Sequence, residues 1–482
     1  MSEHSSSSGL GIKTNKRNSI TLKLLAIVFL VVLFLIPSSL VNNIVNERSA
    51  RQQNTIAEVS ASWGRPQTLV GPILVVPYNK RVAADKPLET EYAYFLPDTL
   101  AASGRVDVEI RSRDIYDVPV YASVLDFEGS FSAPDINGLG LDPQDMRYSE
   151  SFVVFGLPDL RGVREQIEMQ WNTSKVSFSP GVKGFAVSSG VSAPVSLALS
   201  GQPQIPVPTR YAFSVKFDLR GSQALAFMPI GKETKVKLVS NWAYPSFDGA
   251  FLPTTHTITD SGFEAEWTVL DLNRAFPQKW TDKESYGFGF SGGEAIAYPK
   301  TDFDGRFFEP VYPTMEGKGG QVIDDAFGVR LLQPVDLYQK TQRSAKYGIA
   351  VIALVFVVIF FTELTARRRI HPVQYALVGF ALVVFYTLLL SLAEYIRFGW
   401  AYLVASAAVI GMVTLFSKSI MESWKRALMG GGVLTLFYGF VYVLLQLTDY
   451  ALLLGSIALF VILGAIMWVS RRIDWYGIGQ GD

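Results

Sequence analysis

Six long apolar runs, five of them crowded at the C-terminal end, constrain this chain more than any other feature. Each is about as long as a helix needs to cross ~30 Å of hydrocarbon. The runs occupy residues 20–41, 347–365, 373–394, 398–417, 427–446 and 450–469. Short gaps join the last five, so neighbouring helices there should be antiparallel. The sequence therefore predicts a membrane protein with one N-terminal transmembrane helix, 20–41, and a five-helix bundle, 347–470.

The first apolar run has two interpretations. Basic residues precede it or lie at its start: Lys13, Lys16, Arg17 and Lys23. A cleaved signal peptide has a shorter apolar core followed by small residues, and cleavage after Ser38-Ser39 is that alternative. The run extends for about 20 residues, and this length favours an uncleaved anchor helix.

Basic residues also indicate which way the chain crosses the membrane. With six spans, four basic clusters fall on one side: the N-terminal tail, Arg367-Arg368-Arg369, the loop with Lys418, Lys425 and Arg426, and Arg471-Arg472. The opposite turns, around Arg397 and Asp449, are poor in basic residues. We therefore expect both tails, 1–19 and 471–482, in the cytoplasm and 42–346 outside. In a bacterium the protein would be a multi-pass protein of the inner (cytoplasmic) membrane with a large periplasmic domain.

The segment 42–346 has the composition of a β-rich domain. It contains every proline of the chain except Pro37 and Pro372. Apolar and polar residues alternate in short runs between Gly, Pro, Asp and Ser, a pattern typical of antiparallel strands. Examples are 106–110, 119–124, 210–217, 235–239 and 262–267. We predict an α+β membrane protein with a mainly antiparallel, sandwich-like domain, either one sandwich or two smaller ones. Residues 42–62 lack Gly and Pro and should extend the first helix.

Charge and rare residue types exclude several functional classes. The formal net charge is zero, whereas nucleic-acid-binding domains carry a basic excess. Cysteine is absent and the histidines are His4, His256 and His371, so thiolate or His-rich metal sites and a cysteine nucleophile are excluded. The chain has no phosphate-binding loop and no G-x-S-x-G elbow to support a hydrolase that uses His256. We therefore expect that the protein is not an enzyme and that it has no cofactor, no metal and no nucleic-acid partner.

One aromatic stretch of the external segment is a candidate binding site. Its members are Asn241, Trp242, Tyr244 and Phe247, with His256 close by in sequence. Aromatic rings beside an amide suit the stacking of sugar rings or the packing of a peptide. The alternative is a turn whose aromatic rings belong to the domain core.

Ionisable or amide side chains within or beside the apolar runs are candidates for function, because burying them in a membrane is costly. They are Glu363, Glu394, Gln446 and Asp449. Each has a structural alternative: Glu363 has Arg367 four residues further along the same helix, and the others fit solvated turns at the outer face. The predicted spans carry no carboxylate near their centres, which weakens an ion or proton pathway.

Several stretches of the chain resemble the CreD family of bacterial inner-membrane proteins. They are Glu47-Arg48, Glu58-Val59-Ser60, 67–72 (QTLVGP), Ser240-Asn241-Trp242, Pro245-Ser246-Phe247, 251–253 (FLP), 362–365 (TELT), 371–375 (HPVQY), Leu377-Val378-Gly379, 451–455 (ALLLG) and 473–476 (IDWY). The resemblance covers nearly the whole length. It implies an inner-membrane protein linked to envelope integrity under two-component control, and it implies no catalytic residues.

Two functional hypotheses follow. In the first, the external β domain binds an envelope component or a partner protein, and the helix bundle anchors it in the lipid bilayer. In the second, the protein is a membrane carrier or lipid-handling protein with a pathway through the bundle. A central cavity lined by Tyr386, Ser391 or Tyr438 would favour the second, and an exposed groove near Trp242 the first. The sequence leaves the oligomeric state open.

Overall fold

The computed structural model divides the chain into two compact units. One comprises Met1–Gln52 and Val335–Asp482, and the other comprises Gln53–Pro334. The division falls inside a helix, between Gln52 and Gln53. The structure describes residues 17–80, 88–184, 187–197, 209–284, 286–288, 321–323, 325–331, 337–366, 370–447 and 450–471.

Helices form the first unit. Their bounds are α1 Arg17–Leu33, α2 Leu35–Trp63, α3 Leu337–Lys346, α4 Gly348–Ala366, α5 Pro372–Ala393, α6 Phe398–Met421, α7 Trp424–Gln446 and α8 Ala451–Ser470. Within the described ranges, six helical segments are long and apolar enough to cross a membrane, one near the N-terminus and five near the C-terminus. The predicted arrangement of spans is therefore confirmed. The short helix α3 was not predicted; its Thr341 and Ser344 are fully buried.

The N-terminal helix is interrupted at Phe34, between α1 and α2. Pro37 has no N–H to donate to the Leu33 carbonyl, and its ring crowds the preceding turn. The hydrogen bonds on either side survive, since the Phe34 and Ser38 N–H groups donate to Leu30 and Phe34 carbonyls at 2.9 and 3.2 Å. Helical hydrogen bonding therefore continues across a local interruption that Pro37 explains.

Strands form most of the second unit. Their bounds are β1 Gln67–Lys80, β2 Glu89–Phe95, β3 Thr99–Arg113, β4 Tyr116–Ser132, β5 Phe152–Gly156, β6 Glu168–Trp171, β7 Ser174–Ser177, β8 Ser179–Pro180, β9 Gly190–Pro194, β10 Arg210–Ser222, β11 Ala224–Phe227, β12 Glu233–Ser240, β13 Pro245–Gly249, β14 Thr255–Thr259, β15 Gly262–Leu270, β16 Lys279–Thr281, β17 Tyr286–Phe288, β18 Gln321–Ile323 and β19 Phe327–Leu331. Strands β3, β4, β10, β12 and β15 contain the five alternating runs quoted from the sequence, which confirms those predictions.

Two large sheets organise these strands. The first sheet has the order β13-β19-β11-β1-β5-β9-β8, with β2 also beside β1 and β16 beside β2. The second sheet has the order β14-β15-β12-β3-β4-β10-β6-β7, and β17 pairs separately with β18. Most neighbours are antiparallel, but β1 with β11, β3 with β12 and β17 with β18 are parallel. The domain is therefore a mixed, mainly antiparallel β structure.

Both large sheets share one hydrophobic core, which answers the question that the sequence left open. Phe127 of the second sheet contacts Phe155 of the first with ring centroids 5.5 Å apart, and Phe155 contacts Phe217 at 4.9 Å. Inward residues along β10 alternate with exposed ones over most of the strand, as expected for a sheet with one buried face. The two sheets therefore pack as one large sandwich.

Candidate functional site

The chain builds the predicted aromatic site by crossing between the two sheets. Strand β12 of the second sheet is followed by β13 in the first sheet, and the chain returns to the second sheet as β14. Strands β13 and β14 are both edge strands, and the rings of Phe247 and His256 lie with centroids 5.3 Å apart across them. The two sheet edges therefore adjoin at this corner of the sandwich.

Asn241 serves the sheet rather than an open site. Its side-chain oxygen accepts a hydrogen bond from the Val108 N–H at 2.8 Å, and its amide nitrogen donates to the Val108 carbonyl at 3.1 Å. The side chain thus continues the parallel ladder of β12 and β3 beyond Ser240. Since both ends of the amide are occupied, Asn241 is not positioned to recognise a ligand.

The aromatic members divide into buried and exposed groups. Trp242 is 9% exposed, and its indole N–H donates to the Tyr244 carbonyl at 3.0 Å. Phe247 packs on Phe263 and on Trp267 of β15, in each case with ring centroids 5.7 Å apart. The Tyr244 and His256 side chains are exposed. The structure therefore brings four of the five predicted residues together in two pairs, Trp242 with Tyr244 and Phe247 with His256. One residue of each pair, Tyr244 or His256, is exposed.

Strand β14 supplies an open edge beside these rings. All five of its residues are exposed, and within the described parts of the chain it pairs with β15 alone. Ile258 lies opposite the buried Phe263, so it belongs to the inward-facing set, yet it is 47% exposed. We name the exposed side chains here, Tyr244, Leu252, His256 and Ile258, the edge surface.

In the helical unit, Glu363 joins three elements. This residue, near the end of α4, is 7% exposed. Its carboxylate pairs with the Lys23 ammonium of α1 and accepts hydrogen bonds from the Tyr375 hydroxyl of α5 at 2.9 Å and the Ile370 N–H at 3.0 Å. Arg367, the partner offered by helical spacing, lies outside the described residues, as do Arg368, Arg369, Asp449 and Arg472.

Glu394 occupies the other end of α5. Its carboxylate lies 3.7 Å from Arg48 Nε of α2, and the nearby α3 residue Gln342 donates to Asn46 of α2 at 3.2 Å. Ion pairs and hydrogen bonds therefore connect the N-terminal helix to the bundle near both ends of α5. Gln446 and Arg471 are exposed.

The positions proposed for a central cavity are filled or face outward. Tyr386 and Tyr438 are 5% and 3% exposed, and both rings pack on Phe385, with centroids 4.9 and 4.5 Å away. Ser391 is exposed. In the described part of the bundle these residues line no passage, which argues against the carrier hypothesis.

A further polar cluster, on β1 and β2, was not identified from the sequence. The Glu91 carboxylate pairs with the Lys80 ammonium and accepts a hydrogen bond from the Tyr78 hydroxyl. Burial opposes ionisation of Glu91, but these hydrogen bonds hold the pKa of its carboxyl below the usual value. Burial and the bond to Glu91 raise the pKa of Tyr78. Because the carboxylate is satisfied by its own domain, we assign this cluster a structural role.

Lys23, Arg48 and Tyr375 are contributors to the polar contacts that sequence reasoning missed. Lys23 is one of the basic residues before or at the start of the first apolar run, and it lies inside that run. A charge in that position requires either an oppositely charged partner or a side-chain conformation that reaches the membrane interface. That requirement was the available signal, although it does not identify Glu363 as the partner.

Comparison with known proteins agrees with the family resemblance. A family model described as "Inner membrane protein CreD" matches residues 19–476. The chain is also similar to "Inner membrane protein CreD" of Escherichia coli (strain K12), with 30% identity over 460 residues that cover 92% of this chain and 91% of that protein.

Solved structures add nothing to this assignment. Two structures of an M1 zinc metallopeptidase from Deinococcus radiodurans align with TM-scores of 0.17 and 0.18 at 11% identity. The alignments cover 36% of this chain and 39% and 38% of those chains. Likeness at this level carries no argument about fold or activity.

Proposed function

The chain belongs to the CreD family of bacterial inner-membrane proteins, and from this membership and the geometry of its β domain we propose a role in supporting cell-envelope integrity. The β domain lies in the periplasm and both termini lie in the cytoplasm. The domain binds an envelope protein by pairing an extended segment of that partner with β14. The apolar helices anchor the domain in the inner membrane, and no catalytic step is involved.

The edge of β14 that no described strand covers carries this proposal. Free strand edges invite pairing with another chain, and natural sheets protect them with charges, proline or short strands. The other edge strands of the two large sheets have such residues: Lys175 in β7, Pro180 in β8, Pro245 and Asp248 in β13, and Lys279 in β16. Strand β14, with the sequence THTIT, contains no Lys, Arg, Asp or Glu and no proline. Its edge is therefore suited to strand addition.

Side chains of the edge surface would supply specificity. When a peptide adds to a sheet edge, main-chain hydrogen bonds give affinity and alternate side chains enter neighbouring pockets. His256 and Ile258 lie on the same face of β14, and the ring of His256 contacts Phe247. An apolar residue of the partner would pack there. Because Asn241 is occupied by Val108, an extended peptide fits the site better than a sugar does.

Site-specific photocrosslinking in intact cells tests this proposal. A photoreactive residue is placed at Ile258 of β14, and a matched one is placed at Ser177, an exposed position on the lysine-bearing edge strand β7. We expect a discrete protein adduct from Ile258 and none from Ser177, with the partner identified by mass spectrometry.

A charged substitution provides the second arm. Thr257→Lys places a cation on the exposed β14 edge, where it discourages strand addition without removing the β14–β15 ladder. We expect the Ile258 adduct to disappear in this variant while protein abundance is unchanged. Equal adducts from both positions, an adduct that Thr257→Lys leaves intact, or none from Ile258 would overturn the proposal.

A further inference from the structure

A narrow cleft lies between α4, α6 and α7 at the end of the bundle that holds Glu363. Its enclosed volume is about 20 Å³, room for about one water molecule. It is a shallow, partly open crevice in the wall of the bundle, so a molecule bound there lies along its surface rather than inside it.

The lining changes from apolar to polar along the helices. Val355 of α4 and Val433 of α7 lie in the apolar part, whereas Thr362, Ser417 and Arg426 form the other end. Val355 and Thr362 are separated by about 10 Å along α4, because each helical residue rises about 1.5 Å. This gradient, hydrocarbon first and then hydroxyls and a cation, follows the chemistry of a phospholipid from acyl chain to phosphate.

Arg426 is positioned to receive an anion. It is half-buried, and no residue that the structure describes forms an ion pair or hydrogen bond with it. Lys418, in the last turn of α6, adds a second cation at this end of the bundle, and its ammonium lies 4.8 Å from the Trp424 ring centroid. A planar guanidinium binds phosphate oxygens in a two-pronged geometry.

We infer that this cleft binds an anionic phospholipid, with an acyl chain against the apolar wall and the phosphate on Arg426 beside the Ser417 hydroxyl. The Thr362 hydroxyl lines the same end but donates to the Val358 carbonyl at 2.7 Å. Gly430, in the wall, leaves room for the chain, because a Cβ added there would meet no atom within 4 Å. Basic pockets between transmembrane helices are sites where acidic lipids bind. The inference stands independently of the partner proposed for β14.

Native mass spectrometry of the full-length protein tests the inference. The purified chain is titrated with phosphatidylglycerol and, separately, with phosphatidylcholine of the same acyl chains. We expect preferential retention of phosphatidylglycerol and a fall of about tenfold in its affinity for Arg426→Gln, the scale of one lost charge-assisted contact. Gly430→Leu, which fills the crevice, should reduce retention similarly.

Two matched controls separate a site from general charge or packing effects. Lys425→Gln removes a cation in the first turn of α7 that does not line the cleft, and Gly432→Leu enlarges an exposed residue of the same helix that does not line it either. The phosphatidylglycerol affinity of both variants should stay within about twofold of the parent. Equal binding of the two lipids, an equal loss in Lys425→Gln, no loss in Arg426→Gln, or displacement of the lipid by inorganic phosphate alone would overturn the inference.

Discussion

The Glu363 carboxylate has donors from three places in the chain: Lys23 of α1, Ile370 before α5 and Tyr375 within α5. An ionised carboxylate in a membrane bundle is costly unless its oxygens are paired and hydrogen-bonded. Here both oxygens are satisfied, so a residue singled out as a functional candidate has a structural explanation. Its pairing fastens the N-terminal helix to the C-terminal bundle.

Glu363→Gln should destabilise the protein because it leaves Lys23 without its counter-ion. We expect a loss of roughly 2–3 kcal/mol, below the usual cost of breaking a fully buried pair, since part of the lysine remains accessible and can move toward headgroups. Unfolding of the purified protein by SDS in mixed micelles measures this loss.

The double variant Lys23→Gln/Glu363→Gln distinguishes an ion pair from a simple packing contact. It should recover part of the lost stability, because no unpaired charge remains. Glu47→Gln, which breaks the exposed pair with Arg51, should change little. If Glu363→Gln unfolds like the parent, or if the double variant is no more stable than Glu363→Gln, the ion-pair interpretation is wrong.

At the scale of elements, a glycine sets how closely α5 approaches the N-terminal helix. A Cβ added to Gly379 would lie 2.4 Å from ring atoms of Phe34. Phe34 is 2% exposed and also packs on Phe356 and Phe380, with ring centroids 6.0 and 5.1 Å away. Small residues permit such close helix contacts in membranes, so Gly379 is a packing residue.

Gly379→Leu should displace Phe34 and loosen this contact. We expect destabilisation of about 1–3 kcal/mol from overpacking, measured as a lower midpoint of thermal unfolding in detergent. Gly439→Leu is the matched control, because a Cβ there meets no atom within 4 Å. Similar midpoints for the two variants would contradict the assigned contact.

The β domain shows the same dependence on neighbours. The alternation in β12 and β15 predicts strands, but it does not reveal that β14 lies at an edge while β12 lies inside the sheet. An edge is defined by what pairs with a strand, and that pairing joins distant parts of the chain. The exposed edge beside the aromatic turn is therefore a product of the tertiary structure.

At the scale of the whole molecule, the orientation in the membrane is testable because the chain has no cysteine. Single cysteines are introduced by Ser261→Cys, in the exposed turn after β14, and by Lys425→Cys, at an exposed position in the first turn of α7. From the distribution of basic residues, a membrane-impermeant maleimide should label the cysteine at position 261 in intact spheroplasts. It should label the cysteine at position 425 only after the spheroplasts are lysed. The reverse pattern would refute the proposed orientation.

Features that depend on residues close in sequence could be predicted without coordinates. Apolar runs of about 20 residues, period-two alternation and the composition of 42–346 each lie within a short window, and they predicted the six spans and the β-rich domain between them. Resemblance over nearly the whole chain predicted the family. Hydropathy and backbone geometry act locally, so a local pattern is sufficient for them.

Contacts between distant residues were decided by the tertiary structure alone. Lys23 and its partner Glu363 are 340 positions apart, and Asn241 and Val108 are 133 apart. A buried charge or amide requires a partner for its charge or hydrogen bonds, and this requirement follows from the sequence alone. Which partner it finds depends on how the strands and helices pack together, because only packing brings those groups within hydrogen-bonding distance.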